Sequence, residues 1–427
     1  MILNNCCCPP ERRAECDCNF DRQTSAMKLK KTVGKIHLWL GLSSGLLVFV
    51  IAITGCIYAF QEEIQNLTQP YRFVEHQQKP VLPPSQLKGI AEKQLPGKKI
   101  HAVLYAKPGK AAQVIFYNIE PEYYYLVYLN PFTGEVLKVK DAQAGFFSFI
   151  LDGHFYLWLP DEIGRPVVAS ATLVFLVMLI SGLFLWWPKN KKATKQRFSI
   201  RWNARWRRKN YDLHNVLGFY ATWIAIILAA TGLVWGFDWY AEGYYKLAGG
   251  EKSLLYMEPK SDSTLIYQAD VPAIDRLYTK MRLENPTAEV LEVHIPESAS
   301  SPVEVSINPD DETYWKADYR YFDQYTLEEL SVDHIYGKSA NASVADNLMR
   351  MNYDIHTGAV LGLTGKIIAF FASLIVASLP ITGFYIWWGR KQKDKERKLE
   401  KSLQRSPDVI PKIKKTQTKV KLEGVNN

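Results

Sequence analysis

Cysteine is nearly absent from the body of this sequence. Five of its six cysteines fall within residues 1–26 (Cys6, Cys7, Cys8, Cys16 and Cys18), and only Cys56 lies beyond. The leading five follow no zinc-ligand spacing, and the segment has no apolar signal-peptide core. If translated, they form a cytoplasmic, reducible thiol cluster. Met27 followed by KLKK reads as the natural start, so residues 1–26 read as a mis-assigned one. Overall hydrophobicity is also low. A mean hydropathy of −0.15 with 22% charged residues excludes a chain made mostly of membrane helices. Disorder is excluded by 31 Phe and Trp residues. No G-x-G-x-x-G run is present, so the chain lacks a dinucleotide-binding fingerprint.

The averages hide segregation. Four segments, 37–60, 167–187, 214–237 and 362–388, are long enough and apolar enough to cross a bilayer, which takes about 20 residues. They lack the polar face at 3.6-residue spacing that a soluble core helix would show. Three flanking segments are basic: residues 1–36, the connector 188–213 with ten basic residues against one acid, and the tail 389–427 with 13 against five. By the positive-inside rule these three are cytoplasmic, and 61–166 and 238–361 lie outside. Cys56 reads as packing in the first span. Trp186-Trp187 and Trp387-Trp388 mark the inner interface. The net charge of +9 thus reports orientation rather than nucleic-acid binding. The first outer segment is neutral, while the second carries 22 acids against ten bases. That imbalance favours a neutral or cationic ligand.

The spans repeat in pairs. His37 precedes Thr54-Gly55 by 17 residues, as His214 precedes Thr231-Gly232. His154 precedes Ser181-Gly182 by 27, and His356 precedes Thr382-Gly383 by 26. The outer segments match as well, YLNPFTGEVL (128–137) with YFDQYTLEEL (321–330), each a strand, a turn and a strand. Residues 85–95 read as a helix, and 112–119 and 123–129 as strands. The chain is an α-helical membrane protein, a four-helix bundle with two α+β outer domains, built as an internal duplication. Four spans with no broken, charged midplane helix disfavour a secondary transporter.

Only eight histidines occur, and four of them stand at or just ahead of the spans. Imidazole nitrogen holds haem iron, and helix bundles build such sites from facing side chains. Topology pairs His37 with His214 at the inner side and His154 with His356 at the outer side. This predicts two bis-histidine b-type haems, with the four histidines as axial iron ligands. Seventeen helical residues rise about 26 Å. Gly55 and Gly232 therefore lie level with the outer haem, and Gly182 and Gly383 with the inner one, each giving haem a close backbone approach. The competing reading is plain helix packing. Arg165 and Lys366, each just after a Gly, are candidates for the haem propionates, with snorkelling the alternative for Lys366. C-x-x-C-H is absent, so covalent attachment is not expected. His76, His101, His294 and His334 show no ligand spacing and read as ordinary domain residues.

KIHLWLGLSSGLLVFVIAITGCIYAFQEEI, LDGHFYLWLPDEIGRP with SGLFLWWPK, DLHNVLGFY with AATGLVWGF, and DIHTGAVLGLTGK with ITGFYIWWGR together resemble the PepSY-associated transmembrane-helix family from Lys28 to Lys391. At the second span this sequence has Gly153-His154 where the family often has Leu-His. The resemblance implies a bacterial inner-membrane protein associated with iron uptake, with two PepSY-like periplasmic domains and both termini cytoplasmic. It also implies reduction of a ferric siderophore, or another ferric chelate, to release Fe(II). Short cytoplasmic segments leave no room for a flavin domain, so quinol or a separate cytoplasmic reductase supplies electrons. Two alternatives stand beside this expectation: a non-enzymatic PepSY-type binding or regulatory protein, and a quinol-linked cytochrome b serving another periplasmic acceptor.

Overall fold

The protein is described by a computed structural model, which covers residues 13–188, 194, 197–264 and 270–405. Cys6, Cys7, Cys8 and the end of the basic tail lie outside the described residues.

Four helices are long and apolar enough to cross a membrane, at Lys28–Tyr58, Asp161–Trp186, Trp206–Gly236 and Ala359–Ser402. They match the four expected spans, each starting earlier than expected and the last also ending later. The last helix runs to Arg405 because the tail after Trp388 is rich in Lys, Glu, Arg, Leu and Gln, all good helix formers. The chain is therefore a multi-pass membrane protein.

Contacts divide the chain into two compact units. The first comprises residues 1–46, 178–221 and 375–427. It holds parts of helix α1 (Arg13–Tyr58), the long second-span helix (Asp161–Trp186), a short helix (Trp206–Asp212) that leads into the third span, and the last helix (Gly362–Arg405). Small residues set the packing here. A Cβ on Gly41 would lie 3.0 Å from Met178, and one on Gly45 3.3 Å from Pro380. Trp186 stacks on Phe219 with ring centres 3.8 Å apart.

The second unit comprises residues 47–177 and 222–374. Its centre is one antiparallel sheet of eight strands in the order β4-β3-β2-β1-β5-β6-β7-β8. The strands are β1 (Ile100–Tyr105), β2 (Ala112–Ile119), β3 (Glu122–Leu129), β4 (Val136–Asp141), β5 (Val290–His294), β6 (Val303–Asn308), β7 (Asp318–Phe322) and β8 (Glu329–Leu330). Each four-strand half follows a helix, Pro84–Glu92 in the first and Ala273–Glu284 in the second. Both helices lie on the same side of their strands. Leu87 and Ala91 pack with Val103, Val114, Phe116 and Val127, while Ile274, Leu277 and Met281 pack with Leu291, Val293, Val305 and Phe322. Alternation explains why: inward Val and Ile of β5 and β6 are separated by polar residues on the other face.

The sequence reading gave each outer segment its own α+β domain. The structure instead joins them through β1 and β5, with Val103 opposite Val293 and Tyr105 opposite Leu291. Strand β1, with its fully apolar inner residues, finds its second partner only in the other half. Nothing local in either segment announces that pairing.

Candidate functional site

The four histidines meet the Ser/Thr-Gly pairs as their spacing predicts. In the first unit, His37 Nδ1 lies 2.8 Å from Ser181 Oγ, and His214 Nδ1 lies 2.9 Å from Thr382 Oγ1. In the second, His154 Nδ1 lies 2.9 Å from the Ile51 carbonyl and 3.3 Å from Thr54 Oγ1. His356 Nδ1 lies 3.0 Å from Thr231 Oγ1. Each imidazole thus meets a hydroxyl on a helix other than its own.

The contacts behind the rings suit one tautomer. A hydroxyl has one proton to give. Ser181 can give it to the Met178 carbonyl at 3.0 Å, Thr231 to Ile227 at 2.8 Å, Thr54 to Val50 at 2.7 Å and Thr382 to Ser378 at 3.0 Å. Each is then able to accept from an imidazole that donates from Nδ1–H, and the Ile51 carbonyl, an acceptor only, sets that form at His154. Nε2 then carries the lone pair, the form that ligates a metal, oriented by a hydrogen bond behind it.

His154 and His356 also stand close enough to share one metal. The His154 and His356 ring centres are 6.1 Å apart. Two imidazoles bound on opposite sides of one metal place their ring centres roughly 6 Å apart, since each nitrogen lies about 2 Å from it. Burial pushes both imidazoles down, His356 to about 3, with His154 its second cause. Both rings are therefore neutral at ordinary pH, as ligation requires.

The glycines do something other than expected. A Cβ at Gly55 or Gly232 would stand 3.1 Å from the Cε1 of His154 or His356, one at Gly383 3.3 Å from His214, and one at Gly182 3.5 Å from His37. They make room for the imidazole edge beside the hydroxyl, where the sequence reading had placed them against haem. Arg165 and Lys366 are already paired. Arg165 binds Asp161 at 2.7 Å one turn earlier, and Lys366 binds Glu63 at 2.8 Å.

Two residues escaped the sequence reading. Asn210 Nδ2 donates to the Thr382 carbonyl at 2.9 Å, and Asn352 Nδ2 to the Thr231 carbonyl at 3.1 Å. Each stands four residues before a histidine and ties down the very Thr that orients it. The signal was present as Asn-Tyr-Asp-Leu-His (210–214) and Asn-Tyr-Asp-Ile-His (352–356). The aspartates of these motifs are also buried. Asp212 binds Arg208 at 2.9 Å, and Asp354 accepts from the Trp315 backbone N–H at 2.9 Å. A π-helical turn, Leu213–Leu217, carries His214. Such turns re-aim side chains and are common at functional sites.

The family model for the PepSY-associated TM region matches residues 35–390. The chain belongs to that family. No curated protein matches it.

Proposed function

We propose that this protein is a di-haem b-type electron carrier of the bacterial inner membrane that reduces a ferric siderophore or other ferric chelate on the periplasmic side, freeing Fe(II). One observation carries the reading: four imidazoles, each held at Nδ1 by a hydroxyl or carbonyl of another helix. Packing alone has no need of the same arrangement four times. Haem held by two imidazoles supplies one-electron carrier chemistry, tuned by the groups around it.

The protein's own residues do the rest. His37 and His214 form one ligand pair and His154 and His356 the other, in two copies of one plan inherited by internal duplication. Ser181, Thr382, Thr54 and Thr231 hold the rings in orientation, and Gly182, Gly383, Gly55 and Gly232 give them space. Asn210 and Asn352 fix the threonines. Arg165 and Lys366 take the propionates if they exchange Asp161 and Glu63 for them. Basic segments keep the termini and the connector cytoplasmic, where quinol or a reductase delivers electrons, one per ferric ion reduced.

A reduced-minus-oxidised spectrum of the purified protein tests this. The expected result is two b-type haems per chain, and loss of one of them in His356→Ala. A colourless, folded protein from haem-replete cells would overturn it and favour a non-enzymatic binding role. Reoxidation of the reduced protein by anaerobic ferric chelates, against other periplasmic acceptors, tests the substrate.

A further inference from the structure

The sheet carries a second group of chemistry-bearing side chains at the seam between its halves. Strand β1 is irregular there. Ile100 faces Phe116 and Ala102 faces Ile115, so His101 is an extra residue, a bulge. Ile100 and Val103 both point into the core. Regular alternation from Val103 would send His101 inward too. The bulge turns it to the opposite face instead, where its ring centre lies 4.7 Å from that of His294 and 5.7 Å from that of Tyr117.

His294 Nε2 on β5 stands 3.7 Å from Glu292 Oε1 and 3.8 Å from Glu304 Oε1 on β6. These separations exceed a hydrogen bond. They match the roughly 3–4 Å between two ligands that share a metal about 2 Å from each. Tyr256 donates to the other Glu304 oxygen at 2.8 Å and so aims Oε1 inward. Among the described residues Glu292 has no hydrogen-bond partner, although its side chain is only 21% exposed. A bulge in a central strand and a carboxylate held by no hydrogen bond coincide at one place.

We propose that His101, His294, Glu292 and Glu304 bind one divalent transition-metal ion of the borderline class, such as Zn(II) or Fe(II). Two imidazoles exclude Mg(II) and Ca(II), which take all-oxygen shells, and the absence of thiolate disfavours Cu(I). No three of the four donors lie within 4.8 Å of one another; the group that does, Glu289, Asp310 and Asp311, is neutralised by Lys107 and Lys110 on Asp311. Loading therefore draws in the long glutamate side chains. The proposal does not require the haem reading.

Titration calorimetry tests it on the full-length, haem-loaded protein in detergent, with exposed thiols alkylated so that the N-terminal cysteines cannot compete. Zn(II) is the probe. One saturable Zn(II) per chain is expected, weakened at least tenfold by His294→Gln or Glu292→Gln and unaffected by a hundredfold excess of Mg(II). X-ray absorption at the zinc edge should show two imidazoles in the bound shell. Unchanged binding in a His101→Gln/His294→Gln double variant with native circular dichroism would refute the site, as would the absence of saturable uptake. Zinc uptake that disappears only in His154→Ala/His356→Ala would refute it too, by assigning the ion to the other histidine pair.

Discussion

Thr231 illustrates how much one hydroxyl controls. Its proton goes to the Ile227 carbonyl, so the oxygen must accept from His356. Thr231→Val keeps the shape and removes the acceptor. If His154 and His356 hold haem as proposed, we expect its affinity there to fall by about 10- to 100-fold, as for other groups behind a metal ligand, while Thr231→Ser restores it. Pyridine haemochrome assay of the purified variants distinguishes the two. The glycines should rank by clearance. Ala at Gly55 or Gly232, 3.1 Å from an imidazole carbon, displaces the ring, whereas Ala at Gly182, at 3.5 Å, is tolerated. Retained haem per chain measures the order. Asp346 gives a pH test outside the spans. Burial pushes its carboxyl up, but the Tyr245 hydroxyl and the Lys252 ammonium, 2.9 Å away, hold it down to about 2. Because the folded value is depressed, the stabilisation is complete above the unfolded value near 4 and is lost as pH falls towards 2. Its size is about 2.5 kcal/mol. Asp346→Asn should flatten thermal stability over that acid window, with the wild type converging on it near pH 2. The histidines and their spacing were readable in the sequence, because helical periodicity converts spacing into height. The direction of the Thr and Ser hydroxyls was not, since it depends on a ring from another helix.

Strand β1 shows what an element adds beyond its residues. Deleting a residue from a central strand normally moves every later side chain to the wrong face. Here His101 is the extra one, and its removal leaves Ile100 and Val103 both facing the core in a regular ladder. Deletion of His101 should therefore keep the far-ultraviolet circular dichroism and shift the melting midpoint by no more than about 2–4 °C, the equivalent of roughly 1 kcal/mol in a unit of this size. Deletion of Leu104, by contrast, should abolish folding of the sheet. The matched turns tell a related story. Gly134 and Leu327 occupy the same place in YLNPFTGEVL and YFDQYTLEEL, and both have positive φ, 75° and 59°. The strand–turn–strand pattern was legible because Asn130 and Asp323 start the two turns alike, each accepting from the backbone N–H two residues on. Strands β2, β3 and the helix at Pro84–Glu92 were legible for the same local reasons. The bulge was not, because it exists only relative to the neighbouring strand.

For the molecule as a whole, the distribution of basic residues predicts the orientation. The connector with its ten basic residues should remain inside, and segments 61–166 and 238–361, joined in one sheet, outside. Single cysteines at Asn203 and Lys99, in a background stripped of the native six, check this with an impermeant thiol reagent on intact spheroplasts. Labelling of Lys99→Cys alone is expected. The four spans were legible across the chain, yet the merging of the two segments between them was not, since each reads as a finished unit. That merging has a consequence for any attempt to use one copy by itself. A fragment ending in the connector would carry β1 with one side unpaired, and the complementary fragment would carry β5 likewise. Each would be a raw sheet margin inviting the wrong partner. Made together, the two pieces have in those margins a reciprocal clasp, so the gene can be cut at the connector only if both products meet in the same membrane.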